Sequence, residues 1–326
     1  MIMVTGAAGF IGSNLHAALV RRGKETVVVD WLGEHGKWQN LAKHPPTCLV
    51  QPAALDAFLD SQPPLEMVFH IGAVTDTAAT DGDQVWETNV ELPKRLWQWC
   101  AKNDVRLVYA SSSATYGDGA EGFDDDSSLR HLERLRPLNL YGWSKHVFDI
   151  QVAKMLAAGA SRPPQWVGLK FFNVYGPNEY HKGRMISVVK AMYDDVAAGR
   201  PPRVFRSATG LWQDGAQARD LVWVGDVVDV MLWLLDTPGV NGLFNLGTGR
   251  ANTFTAVAHA ICDAAGVPPR VEYVDLAAGA ERQYQSFTQA SIERLRAAGF
   301  VGQFAPLEVG VRRYVQEYLS TPTPYA

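Results

Sequence analysis

The feature that most constrains this chain is an alternation running through its first half, in which short apolar runs are separated by stretches with helical spacing. Residues 4–5, 26–30, 66–71, 106–110 and 166–172 are apolar without polar alternation, as expected of strands buried on both faces. Between them, residues 13–22, 83–103 and 140–158 carry helical patterns. Strands separated by helices of this length indicate βαβ units and a parallel sheet covered on both sides. The right-handed crossover rule makes that a doubly wound α/β fold.

After Asn173 the texture changes. Loop signals cluster at Gly176-Pro177, Gly199-Arg200-Pro201-Pro202, Thr209-Gly210 and Asp214-Gly215, among shorter helical and strand patterns. This predicts a smaller unit laid over the carboxyl edge of the sheet. Residues 219–224 and 243–246 again read as buried strands, so the chain is expected to return to the first unit before finishing outside it. The expected architecture is a Rossmann-like doubly wound parallel sheet with an interleaved α/β substrate domain. Residues 1–172 and 217–250 form the first unit, and 173–216 and 251–326 the second.

Composition excludes several classes. With 326 residues the chain has the length of about two domains. A formal net charge of −4 gives no basic excess to attract nucleic acid. No apolar run approaches the ~18 residues of a membrane span. Cys48, Cys100 and Cys262 are scattered without C-x-x-C spacing, so neither a disulfide framework nor a metal site is expected. Met1-Ile2-Met3-Val4-Thr5 reads as a strand rather than a leader peptide, which makes a soluble cytoplasmic protein the expectation.

Gly6-Ala7-Ala8-Gly9-Phe10-Ile11-Gly12 follows the first strand and opens the first helix. Glycines at these positions permit a tight turn and a close approach of backbone amides to a pyrophosphate, beside the positive end of the helix. Asp30, ending the second strand, is placed to accept hydrogen bonds from an adenosine ribose, which favours NAD. Lys37 and Lys43 follow closely and could neutralise a 2′-phosphate, so NADP and NAD both stay open on residue chemistry.

Tyr141 and Lys145 stand at i and i+4 in a helical pattern, so phenol and ammonium share a face. A free tyrosine, with a pKa near ~10, is a poor base, and a nearby cation is expected to bring it toward neutrality. The run Ser111-Ser112-Ser113-Ala114-Thr115-Tyr116-Gly117 ends the fourth strand, where ligands of open α/β sheets bind.

The glycine triplet, the serine run and Tyr141-x-x-x-Lys145, in this order and separation, closely resemble the extended short-chain dehydrogenase/reductase superfamily of nucleotide-sugar epimerases and dehydratases. Dehydratase members carry a Thr-Asp-Glu triplet where this chain has Ser111-Ser112-Ser113, so dehydration is disfavoured. The segment from Phe171 through Gly176-Pro177-Asn178-Glu179-Tyr180-His181-Lys182-Gly183 resembles the ADP-L-glycero-D-manno-heptose 6-epimerases more narrowly. So do Arg282 through Ala290 and Gly36-Lys37-Trp38-Gln39-Asn40-Leu41.

That resemblance implies interconversion of ADP-D-glycero-β-D-manno-heptose and its L-glycero epimer through transient oxidation at C6, supplying heptose for lipopolysaccharide core. It implies NADP as the cofactor, with NAD left open, and a homo-oligomer, with a pentamer as the specific expectation. Tyr141 and Lys182 become bases on opposite faces of the reacting carbon, Lys145 the electrostatic helper and Ser112 the hydrogen-bond donor. Gly6, Gly9, Phe10, Ile11, Gly12, Asp30, Lys37, Asn89, Lys145, Val174 and Lys182 fall on cofactor positions. Ser112, Asn173, Arg184, Phe205, Arg219 and Tyr284 fall on substrate positions. A UDP-hexose 4-epimerase shares serine, tyrosine and lysine but needs a single base. A non-catalytic NADP sensor on the same fold would not need the pair.

Overall fold

The computed structural model describes residues 1–207, 213–275 and 285–326. The chain opens with β1 (Ile2–Thr5), α1 (Phe10–Arg21), β2 (Thr26–Val29), β3 (Cys48–Val50), α2 (Leu55–Asp60) and β4 (Met67–His70). There follow α3 (Gly82–Trp86), a π turn at Glu87–Glu91, α4 (Leu92–Lys102), β5 (Arg106–Ser112), α5 (Leu129–Leu132), α6 (Leu140–Ala157), β6 (Trp166–Phe171) and β7 (Asn173–Tyr175). The second half adds α7 (Val188–Ala197), β8 (Arg203–Phe205), β9 (Ala218–Trp223), α8 (Val224–Asp236) and β10 (Gly242–Leu246). It ends with β11 (Ala251–Thr253), α9 (Phe254–Ala265), β12 (Glu272–Val274), α10 (Glu293–Ala297) and α11 (Leu307–Arg313).

Seven strands form one parallel sheet in the order β10-β6-β5-β4-β1-β2-β3. Its strands are buried on both faces and sort their side chains with period two. Ile2, Val4, Val28, Phe69, Val108 and Leu169 pack toward α8. Met3, Val27, Val29, Val68, Leu107 and Tyr109 pack the other way, against Leu96 and Trp97 of α4 and Phe148 of α6. Strand order reverses between β1 and β4, where Thr5 lies opposite His70. That switch point is where an open sheet leaves a crevice at its carboxyl edge.

Of the two late strands expected to rejoin the first unit, β10 pairs with β6 in the large sheet. Strand β9 is buried, but it lies in a separate three-stranded sheet between β11 and β7. The helix after it, α8, then packs on the large sheet with α1. Short β3, at the sheet edge, has no counterpart among the expected strands, because three residues give too little pattern to read. A second core gathers Tyr175, Trp223, Phe254, Ile261, Val311 and Tyr314 from β7, β9, α9 and the C-terminal helices. Among the described residues, no helix is long and apolar enough to cross a membrane.

Asp220 on β9 ties the two sheets together. Its Oδ1 accepts from the Thr248 amide and hydroxyl, both at 2.7 Å. Its Oδ2 accepts from the amides of Gly249 at 2.9 Å and Ala290 at 3.0 Å. Fully buried, it is an acceptor for donors just beyond β10 and in the segment before α10. Asp220→Ala strands those donors without water, and the expected loss is about 3 kcal/mol or more in chemical denaturation.

Candidate active site

The first component of the site is the turn from β1 to α1. Gly6 adopts φ 67°, and a Cβ on it would stand 2.6 Å from Gly72 Cα, in the segment after β4. A Cβ on Gly12 would stand 2.2 Å from the Gly6 carbonyl oxygen. Backbone thus occupies the space side chains would fill, and the N-terminus of α1 faces the crevice with no side-chain cap. This is a cradle suited to a dinucleotide pyrophosphate. Asp30, at the carboxyl end of β2, closes its side. Its Oδ2 accepts from the Ala8 amide at 2.9 Å, and its Oδ1 from the Trp31 amide at 2.8 Å and from Lys37 Nζ at 2.5 Å. The carboxylate expected to meet a ribose therefore also holds the glycine turn and carries Lys37 as a counter-ion.

The second component joins β5 to α6. Ser112 ends β5, and its Oγ accepts from the Ala114 amide at 3.1 Å. Asn139 caps α6 by accepting from the Gly142 amide at 2.8 Å, which starts the helix one residue before Tyr141. The bare Cα of Gly142 lets the helix approach the strand end, since a Cβ there would lie 2.7 Å from the Ala114 carbonyl oxygen. Ser112 is close enough to Tyr141 to act on the ionisation of its phenol.

The electrostatics of the pair are governed first by burial. Burial pushes the Tyr141 phenol above its ordinary pKa, and Ser112 opposes that shift. Lys145 itself is buried, which pulls its ammonium down to about 8 against the raising effect of Asp149.

The third component is the loop after β7, which carries Lys182. Asn14 Nδ2 donates to the Pro177 carbonyl at 3.0 Å, and Asn178 Nδ2 donates to Ser13 Oγ at 2.9 Å. Asn40 Nδ2 donates to the carbonyls of Ala8 at 2.9 Å and Asn178 at 3.0 Å. These buried amides fasten the loop to the glycine turn and α1. Glu179 fixes the loop from within, accepting from the Ser187 amide at 2.6 Å, the Ser187 hydroxyl at 2.7 Å and Tyr314 Oη at 3.0 Å. Lys182 Nζ lies 5.1 Å from the centre of the Phe10 ring, a cation–π contact. Burial lowers its pKa while Glu179 opposes the shift. Neighbouring His181 is lowered to about 4 by burial and by the charges of Lys37 and Lys182, so the loop brings positive potential to the Asp30 side of the cradle.

The other expected site residues divide. Asn89 is buried and bonds both backbone groups of Val74 at 2.9 Å and Ser144 Oγ at 3.0 Å, bracing the segment after β4 against α6. Ile11 and Val174 pack between the two cores, and Asn173 lies opposite Leu221 in the β7–β9 pair. Arg219 is buried with its guanidinium 5.7 Å from the Phe254 ring centre. Phe205, on β8, belongs to the small two-stranded sheet with β12. The Arg184 guanidinium lies 2.5 Å from Asp76 Oδ2, which bridges the Lys182 loop to the segment after β4. Tyr284 lies outside the described residues. Asn40, Asn178, Glu179 and Asp149 were not singled out, because polar residues that serve backbone or buried charges carry no spacing signal.

The chain matches the family model described as NAD dependent epimerase/dehydratase family over residues 2–247. It is 41% identical to an ADP-L-glycero-D-manno-heptose-6-epimerase of Nitratidesulfovibrio vulgaris, covering 100% of both chains. The crystal structure of the Helicobacter pylori ADP-L-glycero-D-manno-heptose-6-epimerase superposes with a TM-score of 0.80 over 98% of this chain and 96% of that one; at 24% identity it speaks for the fold. A Thermus thermophilus UDP-glucose 4-epimerase in complex with NAD superposes with a TM-score of 0.70, at 27% identity, over 95% of this chain and 96% of that one. A full-length match at this identity, on a sheet with a dinucleotide cradle, places the chain in the NAD dependent epimerase/dehydratase family, among the ADP-L-glycero-D-manno-heptose-6-epimerases.

Proposed function

We propose that this chain interconverts ADP-D-glycero-β-D-manno-heptose and ADP-L-glycero-β-D-manno-heptose by oxidation and re-reduction at C6, with NADP as its cofactor. The observation that carries the reading is the half-buried Lys182 ammonium, fastened over the glycine turn by a loop that the Tyr141 helix does not contribute. A nicotinamide, when bound, supplies the hydride acceptor and then the donor. Tyr141, as phenolate, takes the proton of the C6 hydroxyl as the ketone forms. The planar ketone then turns its other face to the same cofactor, and Lys182 handles the proton there. A lysine held in a partly desolvated loop can titrate near neutrality, as this role requires.

The residues assigned to the cofactor are Gly6, Gly9, Phe10, Ile11 and Gly12 at the pyrophosphate and Asp30 and Lys37 at the adenosine end. Lys37, beside Asp30 at the adenosine end, is the cation available to a 2′-phosphate, which supports NADP over NAD. Residues 1–172 and 217–250 are assigned to cofactor binding, and 173–216 and 251–326 to the nucleotide sugar. Asn173, Arg184, Phe205, Arg219 and Tyr284 are the proposed sugar-nucleotide contacts. Arg184 would have to exchange Asp76 for substrate on binding.

Purified protein mixed with ADP-D-glycero-D-manno-heptose should invert C6, followed by NMR, whereas Lys182→Met should lower turnover by about 100-fold or more. A single-base 4-epimerase would tolerate that substitution, and absence of inversion by the unmodified protein would sink the reading. Ser112→Ala removes the hydroxyl that favours the phenolate. The base must be ionised to work, so the acid limb of kcat/KM should move to higher pH, by about one unit.

A further inference from the structure

The chemistry above leaves unused a short run, residues 324–326, which lies outside every helix and strand and is pinned across the seam between the segments of Lys37 and Lys182. On the Lys37 side, Tyr325 Oη donates to Gln39 Oε1, and Lys43 Nζ donates to the Tyr325 carbonyl at 2.6 Å. On the Lys182 side, Tyr180 Oη donates to the Pro324 carbonyl at 2.7 Å. The rings of Tyr180 and Tyr325 meet edge to face with centres 5.2 Å apart. The Ala326 amide donates to Asn178 Oδ1 at 2.9 Å. With no ladder or helix to satisfy it, the backbone of this run takes its place from these contacts.

The Ala326 bond reaches the floor of the site. Asn178 is buried, and its Oδ1 can face Ala326 only while its Nδ2 points the other way, to Ser13 Oγ at 2.9 Å. Ser13 Oγ in turn donates to the Phe10 carbonyl at 3.0 Å. A continuous chain of hydrogen bonds therefore runs from residue 326 to Phe10, whose ring centre lies 5.1 Å from Lys182 Nζ. At the other end, Gln39 belongs to the turn Lys37–Leu41, whose first residue is paired with Asp30 at 2.5 Å. Buried Asn40 joins the two segments from inside by donating to the Asn178 carbonyl at 3.0 Å. Half-buried Tyr325, between Gln39 and Tyr180, closes the same seam from outside.

We propose that residues 324–326 form a clasp, with Tyr325 as its positioning residue, that keeps the Lys37 segment and the Lys182 loop together on a bound dinucleotide and slows its release; this rests on the cofactor positions proposed for Lys37 and Lys182. A ligand gripped by two segments leaves when they part. The edge-to-face ring pair and the hydroxyl bond each strengthen that closure by a few-fold, about tenfold together. The effect falls on dissociation, since contacts formed after encounter change departure more than arrival.

The test reads release of NADPH, and of NADH alongside it, by the decay of nicotinamide fluorescence when excess oxidised cofactor is added to the loaded protein. Tyr325→Ala should release the cofactor about tenfold faster, with an association rate within about twofold of the unmodified protein. Tyr325→Phe keeps the ring on Tyr180 and loses the bond to Gln39, so its release rate should lie between the two. Ala326→Pro removes the amide that donates to Asn178 and should also speed release. A second readout needs no cofactor. In amide hydrogen exchange, residues 37–43 and 178–183 should exchange faster together in Tyr325→Ala, while α6 keeps its protection. An unchanged release rate in Tyr325→Ala overturns the proposal. So does faster exchange in one segment without the other, or an equal gain in α6, which marks general loosening. Should Tyr325→Ala not fold, Tyr325→Phe and Ala326→Pro decide the matter by the same rates. Faster release from a protein that fails to epimerise the heptose supports the clasp and overturns the substrate reading instead.

Discussion

Three buried side-chain amides hold together what the site needs from two distant parts of the chain. Asn14 and Asn40 belong to the glycine-turn side, Asn178 to the loop after β7, and their hydrogen bonds close the seam between them. Each amide satisfies backbone or hydroxyl groups that would otherwise be buried without partners, so loss of one costs a bond and strands another. Asn178 also has φ 74°, a left-handed conformation that asparagine accepts more readily than most residues. The seam lets Lys182 rest above Phe10, at the first turn of α1. Without it, Tyr141 and Ser112 would keep their framework while Lys182 would be an ordinary loop lysine in water.

Burial is the common cause of the site's electrostatics. It disfavours the charged form of every group, so the phenol of Tyr141 rises while the ammoniums of Lys145 and Lys182 fall. Each shift is opposed by one specific neighbour: Ser112 for Tyr141, Asp149 for Lys145 and Glu179 for Lys182. Those neighbours are fixed from behind by the large sheet, or by Tyr314 in the second core. The two cores therefore do more than stabilise the fold; each holds the counter-group of one lysine.

Much of this was legible in the residues. The sheet could be read because strands buried on both faces give continuous apolar runs, and the glycine turn because few other sequences sit between such a strand and a helix. The resemblance carried Lys182, whose surroundings in the sequence are those of any Gly-Pro loop. The fate of β9 was not legible, since a buried strand in a small sheet has the same apolar texture as one in a large sheet. Nor was the burial that raises the Tyr141 phenol, because an i, i+4 spacing says which face two side chains share and not how deeply that face is covered. Asp149 lay in plain sight one turn beyond Lys145. It drew no notice because an acid at helical spacing from a lysine usually makes a solvated surface pair.

The central claim is that Tyr141 and Lys182 address one carbon from opposite sides. The most direct measurement is a crystal structure of the Tyr141→Phe variant with NADP and ADP-D-glycero-D-manno-heptose bound. The account predicts the residue 141 ring on one face of the heptose C6 and Lys182 Nζ within hydrogen-bond reach of its oxygen from the other. Both groups on the same face, or Lys182 still lying over Phe10 and away from C6, would contradict it.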